Sequence, residues 1–327
     1  MEKTLQQEIA KALRLSNATV HKALYNCPGI SFCTKYRVQQ YAMTKGYCIQ
    51  RKGQIAVVYP ANPKTFWMKS TERLYEYLKD VEDVEVIGLA YSEKRSDDDN
   101  LAEIIQCIEA AIEAEVSVLI AVVPDNKSIR ELLIKYATRI CIILIGEYAD
   151  VPNTFYLGED PFISGYELGQ NYLRHYPNNR SFSMICRGNN TKQQQRSAGF
   201  IKALNECGIY KYDIWNEADL CESVPYLIAR KLGEKKVLPD CVFCANTNAY
   251  QVSDALLKMK TQKTVQCIGF ALMAAERTAK HDDILKVVSC PDIDGQISVL
   301  VDNIKQYALN ALLPEKKHLF VPNKIMS

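Results

Sequence analysis

Apolar positions in the first 46 residues recur at the spacing of one helix face and predict three short helices. Thr4 and Gln7 have the spacing of a capping box, so the first helix is predicted at about residues 5–13. Ser16 is a favourable N-cap for the second helix and Ser31 for the third, which ends at a cationic turn and a glycine. The residues predicted to face a shared small core are Leu5, Ile9, Ala12, Leu13, Val20, Ala23, Leu24, Val38, Tyr41 and Ala42.

From residue 54 onward the pattern changes to short, almost continuous apolar runs separated by stretches of helical period. Strands that are apolar on both faces and alternate with helices indicate parallel sheets covered by helices on both sides. Because roughly 270 residues exceed one usual domain, two doubly wound α/β lobes are predicted, with a ligand cleft at the carboxyl ends of their strands. The predicted strands are 54–60, 84–90, 116–123, 140–146, 181–186, 240–245 and 264–270.

Charge is distributed unevenly along the 327 residues. The whole chain has a net charge of +2, but residues 1–53 contain nine basic and two acidic residues, which gives this segment +7 and the remainder −5. A basic three-helix segment attached to a mildly acidic body favours a polyanionic partner. A lysine-rich solvated surface is the alternative explanation.

Targeting and metal-binding signals are weak in this sequence. Every apolar run is shorter than the ~18 residues of a membrane span, and the first residues lead into a predicted helix, so a cytoplasmic protein that does not associate with membranes is expected. The twelve cysteines have no disulfide-framework spacing, and with only four histidines neither a metal nor a cofactor is predicted.

Signals for an enzyme are equally weak. Cys241 and Cys244 have C-x-x-C spacing, but they lie within an apolar strand rather than at an exposed helix start, where a reactive thiol is expected. The sequence contains neither a phosphate-binding glycine loop nor a His-centred nucleophile arrangement. We therefore do not expect an enzyme.

The first two predicted helices, joined by about three residues, have the order of a helix-turn-helix. That motif places the start of its second helix in the DNA major groove, where Asn17 and Lys22 would reach base edges. A three-helix bundle that binds another protein, or nothing, has the same periodicity. The pattern alone leaves both possibilities open.

Residues 4–47, TLQQEIAKALRLSNATVHKALYNCPGISFCTKYRVQQYAMTKGY, resemble the DNA-binding domain of the LacI/GalR family of bacterial transcription regulators. The matching residues are Ile9, Ala10, Ser16, Thr19, Val20, Leu24, Asn26, Ser31, Thr34, Arg37, Val38, Gly46 and Tyr47. The resemblance implies that Asn17, Ala18 and Lys22 read bases of an approximately palindromic operator as part of a homodimer. It extends the predicted DNA-binding surface to Ser16, Thr19, His21, Asn26, Ser31 and Thr34, and His21 departs from the usual serine.

The rest of the chain resembles the periplasmic-binding-protein-like (type I) core of the same family and of bacterial sugar-binding proteins. The segments that carry this resemblance are NPKTFWMKSTERLYEYL (62–78), PDN (124–126), LGEDPFISGYELGQNYL (157–173), QRSAGFIKALNECGI (195–209) and FCANTNAYQVSDAL (243–256). They imply a small polar ligand, a sugar or a derivative, bound by Phe66, Trp67, Asp125, Asp160, Arg196 and Asn246.

Several of these candidates have both a physical role in ligand binding and a structural alternative. Phe66 and Trp67 offer apolar faces for a sugar ring, but aromatic residues at such a turn also pack into cores. Asp160 and Arg196 suit charge-assisted hydrogen bonds to ligand hydroxyls or a carboxylate, or else a salt bridge between the lobes. Asn246, both donor and acceptor, suits a polyol.

Several positions depart from the family pattern. Ala271 replaces an acidic residue, Thr247 an aspartate and Glu147 an arginine of the sugar-binding members. Unpaired sugar hydroxyls would cost about 1–3 kcal/mol per buried group, which favours a ligand other than an ordinary monosaccharide. A ligand-blind regulator with a degenerate cleft is the main alternative, and a solute-binding protein of a transporter is a further one.

The domain boundaries follow from these assignments. A helix-turn-helix domain is predicted at 1–47, a short linker at 48–53 and the core at 54–327. Lobe one comprises about 54–158 and 292–315, and lobe two about 161–290 and 316–327. Six linker residues are too few for the hinge helix of the family, so a minor-groove kink in the operator is not expected.

Overall fold

The structure, a computed structural model, describes most of the chain in several stretches. These are residues 2–25, 27, 30, 32–46, 53–61, 66–78, 84–92, 97–146, 151–188, 190–216, 224–259, 263–272, 278–310 and 317–326. The chain divides into two units, Met1–Leu157 with Ile293–Leu319 and Gly158–Asp292 with Phe320–Ser327. The backbone passes from one unit to the other three times.

Three helices open the first unit: α1 (Glu2–Leu13), α2 (Asn17–Leu24) and α3 (Phe32–Thr44). They share one apolar cluster, whose buried members are Ile9, Ala10, Val20, Ala23, Leu24, Val38 and Ala42. Gly46 follows α3 with a φ of +77°, the left-handed conformation that a helix-ending glycine adopts at low cost. The predicted cap at Ser31, the predicted DNA contact at Asn26, Tyr47 and residues 48–52 of the predicted linker lie outside the described residues.

Two details predicted for the first helix are wrong. Helix α1 begins at Glu2, so Thr4 is an interior residue of the helix and does not cap it. Ala12 is exposed, whereas Ala10 is buried. Periodicity predicts that α1 has an apolar face. Which residues at the border of that face are buried depends on how the neighbouring helices pack against α1.

The first sheet belongs to the first unit. The elements are β1 (Gly53–Pro60), α4 (Phe66–Leu78), β2 (Val84–Tyr91), α5 (Asp97–Glu113), β3 (Val118–Ala121), α6 (Lys127–Tyr136), β4 (Cys141–Ile145) and β5 (Phe155–Gly158). Strand β1 pairs in parallel with β2 and β3, so Ile55 lies beside Val86 and Val118. The strand order is β11-β5-β4-β3-β1-β2, where β11 (His318–Phe320) follows α11 (Ile293–Asn310).

The second sheet belongs to the second unit. Its elements are α7 (Pro161–His175), β6 (Phe182–Cys186), α8 (Thr191–Glu206), β7 (Tyr212–Asn216), α9 (Val224–Gly233), β8 (Cys241–Cys244), α10 (Ala249–Lys258), β9 (Gln266–Phe270), β10 (Leu285–Cys290) and β12 (Lys324–Met326). The strand order is β12-β10-β9-β8-β6-β7, and only β12 runs antiparallel to its neighbour in the described pairings of this sheet.

Helices cover both faces of each sheet, as the apolar strands predict. In the second unit, β8 directs Val242 and Cys244 toward one apolar cluster and Cys241 and Phe243 toward another. Burial also raises the pKa of the Cys241 thiol, so this cysteine of the C-x-x-C spacing is protonated at neutral pH. Among the described helices, none has the length and apolar character of a membrane span.

All seven predicted strands are present with boundaries shifted by at most two residues. Five further strands, β5, β7, β10, β11 and β12, are not predicted by the sequence pattern. Three of these, β5, β11 and β12, have only three or four residues, and Asp213 and Asn216 interrupt the apolar pattern of β7. Such strands become recognisable only when a neighbouring strand pairs with them.

Candidate functional site

The carboxyl ends of β6, β8, β9 and β10 lie at one edge of the second sheet, and α8 starts at that edge. Arg196 lies in the second turn of α8, and Asn246 follows β8. Asp160 is the N-cap of α7, where its Oδ1 accepts a 3.0 Å hydrogen bond from the backbone N–H of Ile163. The three candidate ligand-binding residues of this unit therefore lie on different structural elements: a helix, the loop after a strand and a helix cap.

Arg196 is buried, with a side chain that is 3% exposed. Its Nη1 donates a 2.9 Å hydrogen bond to the carbonyl oxygen of Ala245, and its Nη2 donates to Oε1 of Glu159. The guanidinium carbon lies 3.7 Å from the centre of the Phe270 ring. Protein atoms therefore occupy two edges and one face of this guanidinium, in the arrangement that carboxylate pairing and aromatic stacking favour.

The partner of Arg196 is Glu159, which is also buried. Lys192 places its Nζ 3.1 Å from the same Oε1, and Asn323 donates from Nδ2 to Oε2. The Nδ2 of Asn323 also donates a 3.0 Å hydrogen bond to Oγ of Ser289 in β10. Glu159, Lys192, Arg196 and Asn323 are called the Glu159 cluster below. It joins α8, the start of α7 and the segment that precedes β12.

The charge of Glu159 is maintained by its neighbours. Burial alone would raise the pKa of this carboxyl, but the Arg196 and Lys192 charges outweigh that effect and lower the pKa to about 2. The carboxylate is therefore ionised at neutral pH. Removing either side of the pair would leave a charge without compensation in the protein interior.

Sequence reasoning missed Glu159, Lys192 and Asn323. The sequence predicts Asp125 and Asp160 as acidic ligand-binding residues, and in the structure the side chain of Asp160 caps α7. A usable signal was present, because Lys192 and Arg196 are four residues apart and lie on one helix face, where two cations need a nearby carboxylate if they are buried. Which of two adjacent carboxylates turns inward depends on the helix cap.

At the same edge of the sheet, the side-chain amide oxygens of two asparagines accept hydrogen bonds from backbone N–H groups. Asn246 is 6% exposed, and its Oδ1 accepts a 3.0 Å hydrogen bond from the backbone N–H of Asn248. Asn216, at the end of β7, accepts a 3.1 Å bond from the N–H of Gly188. Ala271, which replaces an acidic residue of the family pattern, is buried. These side chains give the loops at this edge a fixed shape.

In the first unit, the structure describes the side chain of one candidate ligand-binding residue. Asp125 follows β3 and forms an ion pair with Arg130 of α6. The adjacent Asn126 caps α6 and accepts a 2.8 Å hydrogen bond from the N–H of Ser128. Phe66 and Trp67 are the first residues of α4, but their side chains, like residue Glu147, lie outside the described part of the structure.

Helix α2 has a polar outer surface. Ser16 caps it, because its Oγ accepts a 3.0 Å hydrogen bond from the backbone N–H of Thr19. The side chains of Asn17, Ala18, His21 and Lys22 are exposed, and that of Thr19 is half-buried. The rings of His21 and Tyr25 are 4.6 Å apart on the same side of the helix.

Two contacts fix α2 and α1 against α3. The buried Gln39 donates a 2.8 Å hydrogen bond to the carbonyl oxygen of Ala23, and Lys45 forms a 2.8 Å ion pair with Glu8. Thr34 is half-buried in the first turn of α3. The exposed cations described on these helices are Lys11, Arg14, Lys22, Arg37 and Lys45.

Comparison with known proteins identifies the fold. A family model described as a periplasmic binding protein domain matches residues 55–311. Among curated protein sequences no relative matches this chain. Solved structures do match, and those described next are less than 25% identical to this chain, so they inform on the fold alone.

Three solved structures illustrate the similarity. An ABC transporter periplasmic solute-binding protein from Actinobacillus succinogenes 130z with bound D-allose has 16% identity and a TM-score of 0.66, over 84% of this chain and 96% of that chain. A putative LacI transcriptional regulator from Bacteroides fragilis has 15% identity and a TM-score of 0.68, over 85% and 97%. A solute-binding protein from Bacillus halodurans C-125 with bound myo-inositol has 18% identity and a TM-score of 0.66, over 85% and 95%. Since the family model covers most of the two sheets, this chain belongs to the periplasmic binding protein domain family.

Proposed function

We propose that this protein is a DNA-binding transcription regulator whose core binds a small polar ligand, a sugar or a sugar derivative. The observation that carries the DNA-binding part is the surface of α2, a capped helix that exposes Asn17, Ala18, His21 and Lys22 beside further cations of α1 and α3. Side chains at the start of such a helix reach base edges, while surrounding cations bind phosphates.

The ligand-binding part rests on family membership and on the ligands bound in similar solved structures. Two of the similar solute-binding proteins contain D-allose and myo-inositol, and one similar structure is described as a putative LacI regulator. A regulator of this kind acts in the cytoplasm as a homodimer. Its operator is approximately palindromic, because a protein with two-fold symmetry binds two half-sites. Its role is binding rather than catalysis.

A ligand-blind regulator is the second candidate. The enclosed Arg196 favours it, since this cation already has a carboxylate, a carbonyl oxygen and an aromatic ring as partners. A solute-binding protein of a transporter shares the α/β core, but a basic cluster of three helices has no role in that function.

Operator selection from random double-stranded DNA with the full chain tests the DNA-binding part. We expect an enriched, approximately palindromic sequence, and weaker binding to it by Lys22→Ala in gel shifts. Lys236→Ala, a matched change at an exposed lysine of the second unit, should bind like the parent protein. If selection enriches no sequence, or if both variants bind equally, the DNA-binding proposal fails.

A thermal-shift screen of neutral and charged sugars with the full chain tests the ligand-binding part. A saturable increase in Tm with at least one compound supports the inducible regulator. Enrichment of an operator together with no response to any sugar would favour the ligand-blind candidate.

A further inference from the structure

Strand β7 is the last strand at one end of the second sheet, next to β6. The two strands are parallel, and the carbonyl oxygen of Lys211 accepts a 3.4 Å hydrogen bond from the backbone N–H of Phe182 in β6. Successive residues of a strand direct their backbone N–H and C=O groups to opposite sides. The backbone of Asp213 therefore also faces β6, whereas the backbones of Tyr212 and Ile214 face the open edge of the sheet. An edge of this kind can accept a further strand.

Apolar side chains are exposed along this edge. Ile214 is 55% exposed, and Tyr210, two residues before the strand begins, is 73% exposed. The half-buried Tyr212 lies between them and packs against the apolar cluster that α7 and α8 cover. Alternate residues of an extended chain share a face, so the three side chains form one row. An apolar row beside an open strand edge is a surface that folded proteins normally blunt or cover.

The residues between these apolar positions carry opposite charges. Lys211 is exposed, and the side chain of Asp213 is 42% exposed. Oδ1 of Asp213 accepts a 2.8 Å hydrogen bond from Oγ of Ser183 and lies 3.1 Å from Nζ of Lys235. Its Oδ2 accepts from Nε1 of Trp215. Because these partners hold the carboxylate in place and still leave it exposed, it can accept from a further cation.

We infer that β7 is a self-association surface: β7 of a second copy of this chain adds to it as an antiparallel strand, with Tyr212 opposite Tyr212 across a two-fold axis. This register places Tyr210 opposite Ile214, so that each apolar row covers the other. It also makes the two Tyr212 residues a hydrogen-bonded pair, since their backbone groups face the open edge. The contact is isologous and is complete with two copies.

Charge selects this register among its neighbours. Lys211 of each copy lies opposite Asp213 of the other, whereas an axis centred on Lys211 or on Asp213 would set two like charges opposite each other. An axis centred on Ile214 would leave Tyr210 opposite no residue of β7. Because Lys235 already contacts Asp213, the attraction across the contact is small, and the apolar side chains supply most of the affinity. The inference goes beyond the proposed function, since β7 pairing requires neither DNA nor a ligand.

The first test is sedimentation equilibrium on the full chain without DNA or ligand. Ile214→Asp introduces a carboxylate into the apolar row and should halve the molar mass of the parent assembly, because a two-fold contact doubles the number of chains. Ile134→Asp, a matched change at a 45% exposed isoleucine of α6, should keep the parent mass. Circular dichroism checks that both variants fold. Equal masses for the parent protein and a folded Ile214→Asp at every concentration overturn the inference.

Disulfide cross-linking tests the register and does not depend on that variant. Opposed residues of a hydrogen-bonded antiparallel pair have Cα atoms about 5.5 Å apart, within the range of a disulfide. Tyr212→Cys should therefore form a covalent dimer on mild oxidation, above the background of the parent protein with its twelve cysteines. Ile214→Cys should not link to itself but should link to Tyr210→Cys when the two variants are mixed. No link in Tyr212→Cys, or a link of Ile214→Cys only to itself, overturns the inference. Operator selection tests DNA binding separately, so failure of one proposal does not imply failure of the other.

Discussion

Helix α7 passes so close to α8 that a Cβ atom on Gly165 would lie 2.8 Å from the carbonyl carbon of Arg196. The contact is reciprocal, because a Cβ on Gly199 would lie 2.8 Å from the backbone nitrogen of Tyr166. Two glycines therefore allow the helix backbones to touch at the turn that carries Arg196. This close approach brings α8 within reach of Glu159, which directly precedes the cap of α7.

Gly165→Ala should destabilise the second unit, since the added methyl group meets backbone atoms that have no rotamer with which to avoid it. Overpacking of this kind costs about 1–3 kcal/mol, and more where backbones must separate. Urea unfolding of the full chain measures the loss. Gly233→Ala is the control, because a Cβ at that position meets nothing within 4 Å. Equal stability of the two variants would contradict the close packing of α7 and α8.

Arg196→Ala should cost about 3–5 kcal/mol, because Glu159 would be left as a buried charge with fewer partners. Arg174→Ala, at an exposed arginine of α7, should cost much less. In a double variant with Glu159→Gln the two losses should not add, because both changes remove the same ion pair. Additive losses in urea unfolding would mean that the two side chains do not interact.

Acid should weaken the second unit through Glu159. The pKa of this carboxyl is lowered from 4.5 to about 2 in the folded chain, so its contribution is fully present above about pH 4.5 and is lost as the pH falls toward 2. The loss is on the order of 3 kcal/mol. Asp240, whose pKa is also lowered to about 2, titrates in the same window. Glu159→Gln should therefore lose less stability than the parent protein between pH 4.5 and 2 in thermal unfolding, and an identical slope would exclude this assignment.

Ser16→Ala should loosen the start of α2 by about 1 kcal/mol, since the N–H of Thr19 loses its acceptor. Ser16→Asn keeps a capping oxygen and should preserve the helix. Hydrogen exchange of the amides of residues 18–20 reports the difference. Protection that is unchanged in Ser16→Ala would show that the cap contributes nothing to α2.

Lys22→Ala and Arg37→Ala test the proposed DNA-binding function in different ways. Lys22 lies on the exposed face of α2, so its loss should relax base preference at one operator position by about 1–3 kcal/mol. Arg37 is exposed on α3, and loss of a phosphate contact there should weaken all sequences alike and reduce the salt slope by about one. Competition gel shifts at several salt concentrations separate the two effects. A uniform loss for Lys22→Ala would reclassify Lys22 as a phosphate contact.

The sequence by itself determined the elements that depend on local pattern. Continuous apolar runs located seven strands, and the spacing of Val20, Ala23 and Leu24 identified the buried face of α2. Ser16 and Gly46 marked helix ends because capping and a positive φ are properties of single residues and their immediate neighbours. The α/β class follows from the alternation of these elements.

Tertiary structure decided which charged groups meet. Glu159 and Asp160 are adjacent and chemically similar, yet one cap hydrogen bond holds Asp160 at the start of α7 while Glu159 turns toward Arg196. Asn323 joins the same cluster from a position 164 residues away along the chain. Periodicity describes only nearest neighbours on one element, whereas ion pairing depends on distance in space. The partners of Arg196 therefore emerged only when the close approach of two glycine-containing helices brought those elements together.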